Sequence, residues 1–144
     1  MADRTAQVAW HGSLMEGSGV IKSVGSGAFG GLEVTWASRA EPEESGRTSP
    51  EELIAAAHAS CFCMALSHGL AQAGSPPEKL DVKATATFVP GTGITEMRLD
   101  VVGTVAGIDE AAFIEAAEGA RDNCPVSGAL KGNVQITLDA RLAS

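Results

Sequence analysis

Three cysteines are the residues of this chain most able to do chemistry: Cys61, Cys63 and Cys124. Two of them lie in SPEELIAAAHASCFCMALSHGL, residues 49–70, an almost wholly apolar stretch that also holds Glu51, Glu52 and His58. The reactive form of a cysteine is the thiolate, whether it attacks an electrophile or binds a metal. On a regular helix, residues 61 and 63 point about 200° apart, so this C-x-C cannot chelate one ion. Cys63 by itself reads as a small core residue. His58 lies one turn before Cys61 and can share its face, which is the spacing of a Cys-His nucleophile pair. One imidazole on an alanine-rich helix is more often a satisfied interior or interface residue, and that is the reading preferred here. Cys124 precedes Pro125 at the start of a predicted short helix. Backbone N–H groups at such a position stabilise a thiolate and lower its pKa; the plainer reading is a tolerated cap. Spacing alone does not say whether Cys61 and Cys124 meet.

The elements that must carry these residues follow from pattern. The chain has 144 residues, enough for one domain with a real core, so a single domain over 1–144 is expected. Residues 5–12, 18–24 and 31–37 read as three strands punctuated by glycine. Residues 40–49 read as a polar loop. Ser49-Pro50-Glu51-Glu52 then starts a helix, with Ser49 as N-cap, Pro50 in the first position and Glu52 completing a capping box. Both glutamates are explained by that position alone, because acidic residues favour a helix N-terminus. The helix ends near Gly69 or Gly74. Val82, Ala84, Ala86 and Phe88 alternate with polar residues, as do Met97, Leu99 and Val101, giving two more strands. Asp109 caps a helix over 110–121, Cys124-Pro125 opens a short one, and Val134 to Ala140 alternate in a last strand. The order βββ-α-ββ-α-α-β predicts an α+β fold, one sheet of about six strands against helices.

From Leu53 to Leu66 the long helix is apolar all round, which predicts burial on every side. One sheet covers one side only. A second copy of the same helix is the economical cover for the other, and Ala55, Ala56, Ala57, Ala59 and Ser60 permit close approach, so a symmetric homodimer is expected. The net charge of −8 argues against nucleic acid and anionic membrane surfaces as partners. No run reaches the roughly 18 apolar residues expected of a membrane span. The start, MADRTAQVAWHG, has no basic region followed by an apolar one, so a cytoplasmic location with reduced thiols is expected.

PEELIAAAHASCFCMALS, followed by NCPVSGALKGNVQITLDARL, closely resembles the OsmC/Ohr family of osmotically inducible and organic hydroperoxide resistance proteins. The resemblance runs from AWHGSLMEGSG to the final strand, and AAHA before Cys61 and GID before the second helix fit the OsmC branch. It implies an OsmC-like fold in an intertwined homodimer with two sites at the interface. It implies a thiol-dependent peroxidase acting on organic hydroperoxides and often hydrogen peroxide. No metal, flavin or other cofactor is called for, and an external dithiol of the lipoyl or thioredoxin type returns the enzyme to its reduced state. Carried onto this chain, Cys61 is the peroxidatic cysteine and Cys124 the resolving one. Glu51 matches the carboxylate of the family's PE motif. Arg39, in TWASRA, resembles the arginine that follows a strand in the OsmC branch, with Arg47 as the second candidate. Cys63 departs from the pattern, since OsmC proteins often carry serine there.

The chemistry makes a demand of its own. Cys61 is far beyond the first turn of its helix, so the macrodipole helps its thiolate little, and burial would raise its pKa. The helix holds no Lys or Arg. A cation must therefore come from elsewhere in sequence, the part assigned to Arg39, with Glu51 to hold it. Glu51 and Cys61 are about 15 Å apart along one straight helix. In an antiparallel pair crossing near Ala56, Glu51 of one copy would approach Cys61 of the other, completing two sites. Leu53, Phe62, Met64 or Trp36 would then line a pocket for apolar peroxides. Two other classes compete: a Cys-His hydrolase or acyl transferase, and a non-catalytic ligand or interaction protein on the same fold.

Overall fold

The computed structural model describes residues 1–42 and 46–144; of the expected polar loop 40–49, residues 43–45 lie outside the described residues. The class is α+β as expected. The strands are β1 (Ala6–His11), β2 (Ser18–Val24), β3 (Leu32–Val34), β4 (Lys79–Val89), β5 (Gly93–Thr104) and β6 (Gln135–Leu142). The helices are α1 (Trp36–Ala40), α2 (Pro50–Gln72), α3 (Glu110–Asn123) and α4 (Pro125–Leu130). The six strands form two three-stranded sheets, β1-β2-β3 and β4-β5-β6, where sequence pattern suggested one. Alternation marks a strand and its buried face, but not which strands pair. The chain divides into two compact units, Met1–Leu53 and Ile54–Ser144.

In Met1–Leu53 the antiparallel sheet places Gly19 opposite Trp10 on one side and Val34 on the other. A Cβ at Gly19 would come within 2.7 Å of the Trp10 ring, so the glycine leaves room for the indole to lie across β2. β3 is shorter than the expected 31–37. Thr35 caps α1 instead, its hydroxyl accepting from Ser38 N–H while the Ser38 hydroxyl accepts from Thr35 N–H. This reciprocal cap overrides the strand preference of Val34, Thr35 and Trp36. Arg39 consequently sits in a helical turn, not in a loop after a strand. Ser38 also donates to Thr48 O, and Thr48 N–H donates to Glu33 O, which hold the approach to α2 against β3.

Ser49 is the N-cap of α2, its hydroxyl accepting from Glu52 N–H at 3.1 Å. The expected reciprocal half of the box is replaced: the Glu52 carboxylate accepts from the Thr48 hydroxyl. α2 then runs unbroken to Gln72, with Gly74 just beyond at φ 87°.

In Ile54–Ser144 β4 and β5 pair antiparallel through the turn at 90–92. β6 pairs parallel to β5, which two strands can do only with a crossover between them; α3 and α4 supply it. Asp109 caps α3 as expected, accepting from Ala112 N–H at 2.8 Å. The core joins Phe62, Leu66 and Leu70 of α2 to Leu99 and Val101 of β5 and to Phe113, Ala117 and Ala120 of α3. Each fully buried large side chain contributes roughly 1.5–3 kcal/mol. α2 is also long and apolar enough, by length and composition, to cross a membrane, although sequence inspection suggested no such run. Its packed face identifies it as a core helix of this unit. The expected burial on every side is not met within one chain: Ala56, Ala57, Ser60 and Met64 are exposed, Met64 by 71%.

Candidate active site

Cys61, on α2, and Cys124, between α3 and α4, meet. The Cys61 thiol neighbours the Cys124 thiol and the backbone N–H of Val126, near enough for both to act on its ionisation. Both thiols are free; Cys61 is half-buried and Cys124 is buried. Chain geometry explains the placement. Cys124 ends α3, its N–H bonded to Ala120 O, and is also the N-cap of α4, whose first residue is Pro125. The Cys124 thiol makes no capping bond to α4. At this helix start, where backbone N–H groups were expected to favour a Cys124 thiolate, the Val126 N–H acts on Cys61. Burial raises the Cys61 pKa first, the neighbouring Cys124 thiol raises it further, and the Val126 N–H works in the opposite direction.

One turn away, His58 Nε2 and Ser127 Oγ lie 2.8 Å apart, both side chains buried. His58 Nδ1 has no hydrogen-bond partner among the described residues. Neither ring nitrogen therefore bonds Cys61, and the imidazole turns its polar edge to α4. Burial lowers the His58 pKa and favours the neutral ring. Ser127 is absent from the sequence reading. A signal was present: H-x-x-C on α2 and C-x-x-S at α4 share one offset, as two faces in register would require.

The second polar pair lies in Met1–Leu53. Arg39 Nε donates to Glu51 Oε1 at 2.9 Å, and an η-nitrogen of Arg39 reaches the same oxygen at 2.9 Å. Glu51 is buried, while Arg39 is one-third exposed. Glu51 Oε2 is buried with no partner among the described residues. Arg47 pairs instead with Glu33 at 3.3 Å, on a more exposed surface. Geometry thus singles out Arg39 as the partner of Glu51.

Cys63 has a different environment. Burial and the Asp81 carboxylate of β4 both raise its pKa. Phe62, expected as a possible lining residue, is wholly buried in the core and lines nothing. Among the described residues no group of three or more His, Cys, Asp or Glu side chains is arranged to hold a metal ion.

Comparison with known proteins agrees with this arrangement of elements. The model for OsmC-like proteins matches residues 42–139. Peroxiredoxin OsmC of Escherichia coli (strain K12) is 38% identical, the match covering 98% of this chain and 97% of that protein. The organic hydroperoxide resistance protein of Xanthomonas axonopodis pv. citri (strain 306) is 30% identical over 63% of this chain and 65% of its own. The crystal structure of an organic hydroperoxide resistance protein OsmC from Legionella pneumophila superposes with a TM-score of 0.66 at 24% identity, covering 95% of this chain and 96% of that one, a likeness of fold. A match across two-thirds of the chain, and a relative alike from end to end, lead to one conclusion: this chain belongs to the OsmC-like protein family.

Proposed function

We propose that this protein is a cysteine-based peroxidase that reduces organic hydroperoxides, and hydrogen peroxide as well, through Cys61 and Cys124. The observation that carries the reading is the contact between two free thiols 63 positions apart in sequence. Its relatives' names, peroxiredoxin and organic hydroperoxide resistance protein, point to the same class of reaction.

The cycle begins with the Cys61 thiolate attacking the outer peroxide oxygen, which leaves Cys61 as a sulfenic acid and releases an alcohol or water. Cys124 condenses with the sulfenic acid to give a disulfide. An external dithiol of the lipoyl or thioredoxin type reduces it by exchange. Such a cycle needs a thiol-reducing compartment, which supports a cytoplasmic location.

Within one chain the Cys61 thiol is pushed upward by burial and by Cys124, so a cation has to act on it. The Arg39–Glu51 pair is the proposed source, brought by a second copy. What supports an antiparallel α2 pair is the exposed run of small side chains at Ala56, Ala57 and Ser60, next to the exposed Met64. Two complete sites per homodimer result, each with Arg39 and Glu51 opposite the other chain's thiols. The guanidinium stays charged and can bond both sulfur and peroxide oxygen.

One experiment tests the cycle. Reduced protein is mixed with one equivalent of cumene hydroperoxide, and disulfides are located by peptide mass spectrometry. A Cys61–Cys124 link is expected. Peroxide left unconsumed, or a link through Cys63, would overturn the assignment.

A further inference from the structure

Cys61 meets Cys124, and His58 meets Ser127. Along α2 the first member advances by three, from 58 to 61; along the other strand of contacts the second retreats by three, from 127 to 124. The two contacts are thus successive rungs between α2 and the start of α4, one turn apart and running in opposite chain directions. α4 is only six residues long; it follows α3 directly through Cys124 and runs into a turn before β6. The end of α3 fixes where α4 begins, and a directional contact with α2 also fixes its rotation about that start.

The lower rung has an unusual composition for a core position. His58 and Ser127 are both buried, at 0% and 3% exposure, and one ring nitrogen of His58 is left without a partner. In one tautomer Nε2–H donates to Ser127 Oγ and Nδ1 is a bare acceptor; in the other the serine hydroxyl donates to Nε2 and Nδ1–H is stranded. Either way the chain tolerates an unsatisfied polar atom where two apolar residues would pack without one. Apolar packing, however, is non-directional, whereas a hydrogen bond loses strength within a few tenths of an ångström.

We propose that the His58–Ser127 hydrogen bond is a positioning device that sets the register of α4 on α2, so that the Cys124 sulfur reaches the Cys61 sulfur. The step it serves, which rests on the peroxidase reading above, is resolution. The Cys124 sulfur attacks the sulfur of the Cys61 sulfenic acid; an S–S bond forms, the S–O bond breaks, and hydroxide leaves with the Cys124 proton as water. The alternative fate of the sulfenic acid is attack on a second hydroperoxide, giving sulfinic acid and an alcohol. A register that keeps Cys124 in place favours the first path over the second. His58 and Ser127 are positioning residues in this account and touch no reacting atom.

The test separates positioning from peroxide chemistry. Full-length protein carrying Cys63→Ser, so that one intramolecular disulfide can form, is equilibrated with reduced and oxidised dithiothreitol, and the Cys61–Cys124 disulfide is measured by alkylation and mass spectrometry. Ser127→Ala and His58→Leu should each lower its formation constant about five- to tenfold, the loss of one buried neutral hydrogen bond. Ser127→Thr and His58→Gln, which keep a polar atom at the rung, should return it to within about threefold. The double variant Ser127→Ala/His58→Leu should lose no more than either single one, a non-additivity that separate structural damage would not produce. Circular dichroism checks that each variant is folded; should Ser127→Ala not fold, His58→Leu and the two polar variants decide the matter alone. With two equivalents of cumene hydroperoxide, the weakened variants should accumulate Cys61 sulfinic acid. Unchanged formation constants in folded Ser127→Ala and His58→Leu would overturn the proposal, as would a wild-type protein unable to form the link. Wild-type protein that forms the disulfide in dithiothreitol but consumes no peroxide would sink the peroxidase reading and leave the positioning role standing.

Discussion

In Ile54–Ser144 one face of the β4-β5-β6 sheet is closed by α2 and α3, and the large side chains Phe62, Leu66, Leu70, Leu99 and Phe113 are buried within the unit. In Met1–Leu53 the β1-β2-β3 sheet buries Ile21 as its one hydrophobic side chain among the described residues, while Val8 and Trp10 of β1 remain exposed by 56% and 41%. The chemistry divides the same way: the thiols belong to the well-packed unit, and the Arg39–Glu51 pair to the sparsely packed one. The lesson is that one unit closes a core of large side chains around the thiol-bearing helix, whereas the other carries the ion pair on a sheet that leaves most of its apolar side chains exposed.

The contrast can be broken at several points. The largest effect should come from the thiol unit: Cys61→Ser should reduce peroxide consumption to the uncatalysed background, read by loss of cumene hydroperoxide under turnover with excess dithiol. Any retained turnover would move the nucleophile elsewhere. Next, Phe113→Ala should cost about 3–5 kcal/mol in urea unfolding, against about 2 kcal/mol for Ile21→Ala, whose surroundings can collapse more easily. Equal costs would mean that Met1–Leu53 is as firmly packed as its partner unit.

A smaller effect separates the two arginines. Arg39→Ala should slow peroxide consumption about 100-fold, the scale for removing one preorganised charged donor, and Arg47→Ala within about threefold. The reverse order would transfer the role to the Glu33-paired guanidinium. The smallest effect concerns His58, whose pKa in the folded chain lies below its ordinary 6.5. Below that value the unfolded chain takes up a proton that the folded chain resists. Its contribution to stability is therefore complete above about pH 6.5 and is lost as pH falls toward the folded value. Urea midpoints between pH 7.5 and 5.5 should fall less steeply for His58→Gln than for the wild type; parallel slopes would contradict burial of a neutral ring.

Much of this architecture was legible in the chain. The period-two alternation of Val82 to Phe88 and of Met97 to Val101 reports strands with one buried face, because successive side chains point to opposite sides. Asp109 and Ser49 mark helix starts through local bonds alone. The boundary of β3 was misread because Val34, Thr35 and Trp36 favour strands, while the deciding cap between Thr35 and Ser38 depends on two side chains bonding each other's backbone. The six strands themselves carried no sign of their division into two sheets, since pairing is a choice among distant segments. Ser127 was missed because the matching offsets of His58 to Cys61 and Cys124 to Ser127 gain meaning only once the two helices face each other, and the serine itself has no local signature of burial.

The types of the reactive groups, the amphipathic periods and the helix starts follow from the order of residues, because each acts over a few positions through sterics and local hydrogen bonds. Contact of Cys61 with Cys124, and the choice of Arg39 over Arg47 as the partner of Glu51, had to await folding. They depend on where a parallel crossover returns the chain and where a single helical turn leaves a guanidinium. Long-range packing decides such placements, since no short stretch of sequence contains both halves of the contact.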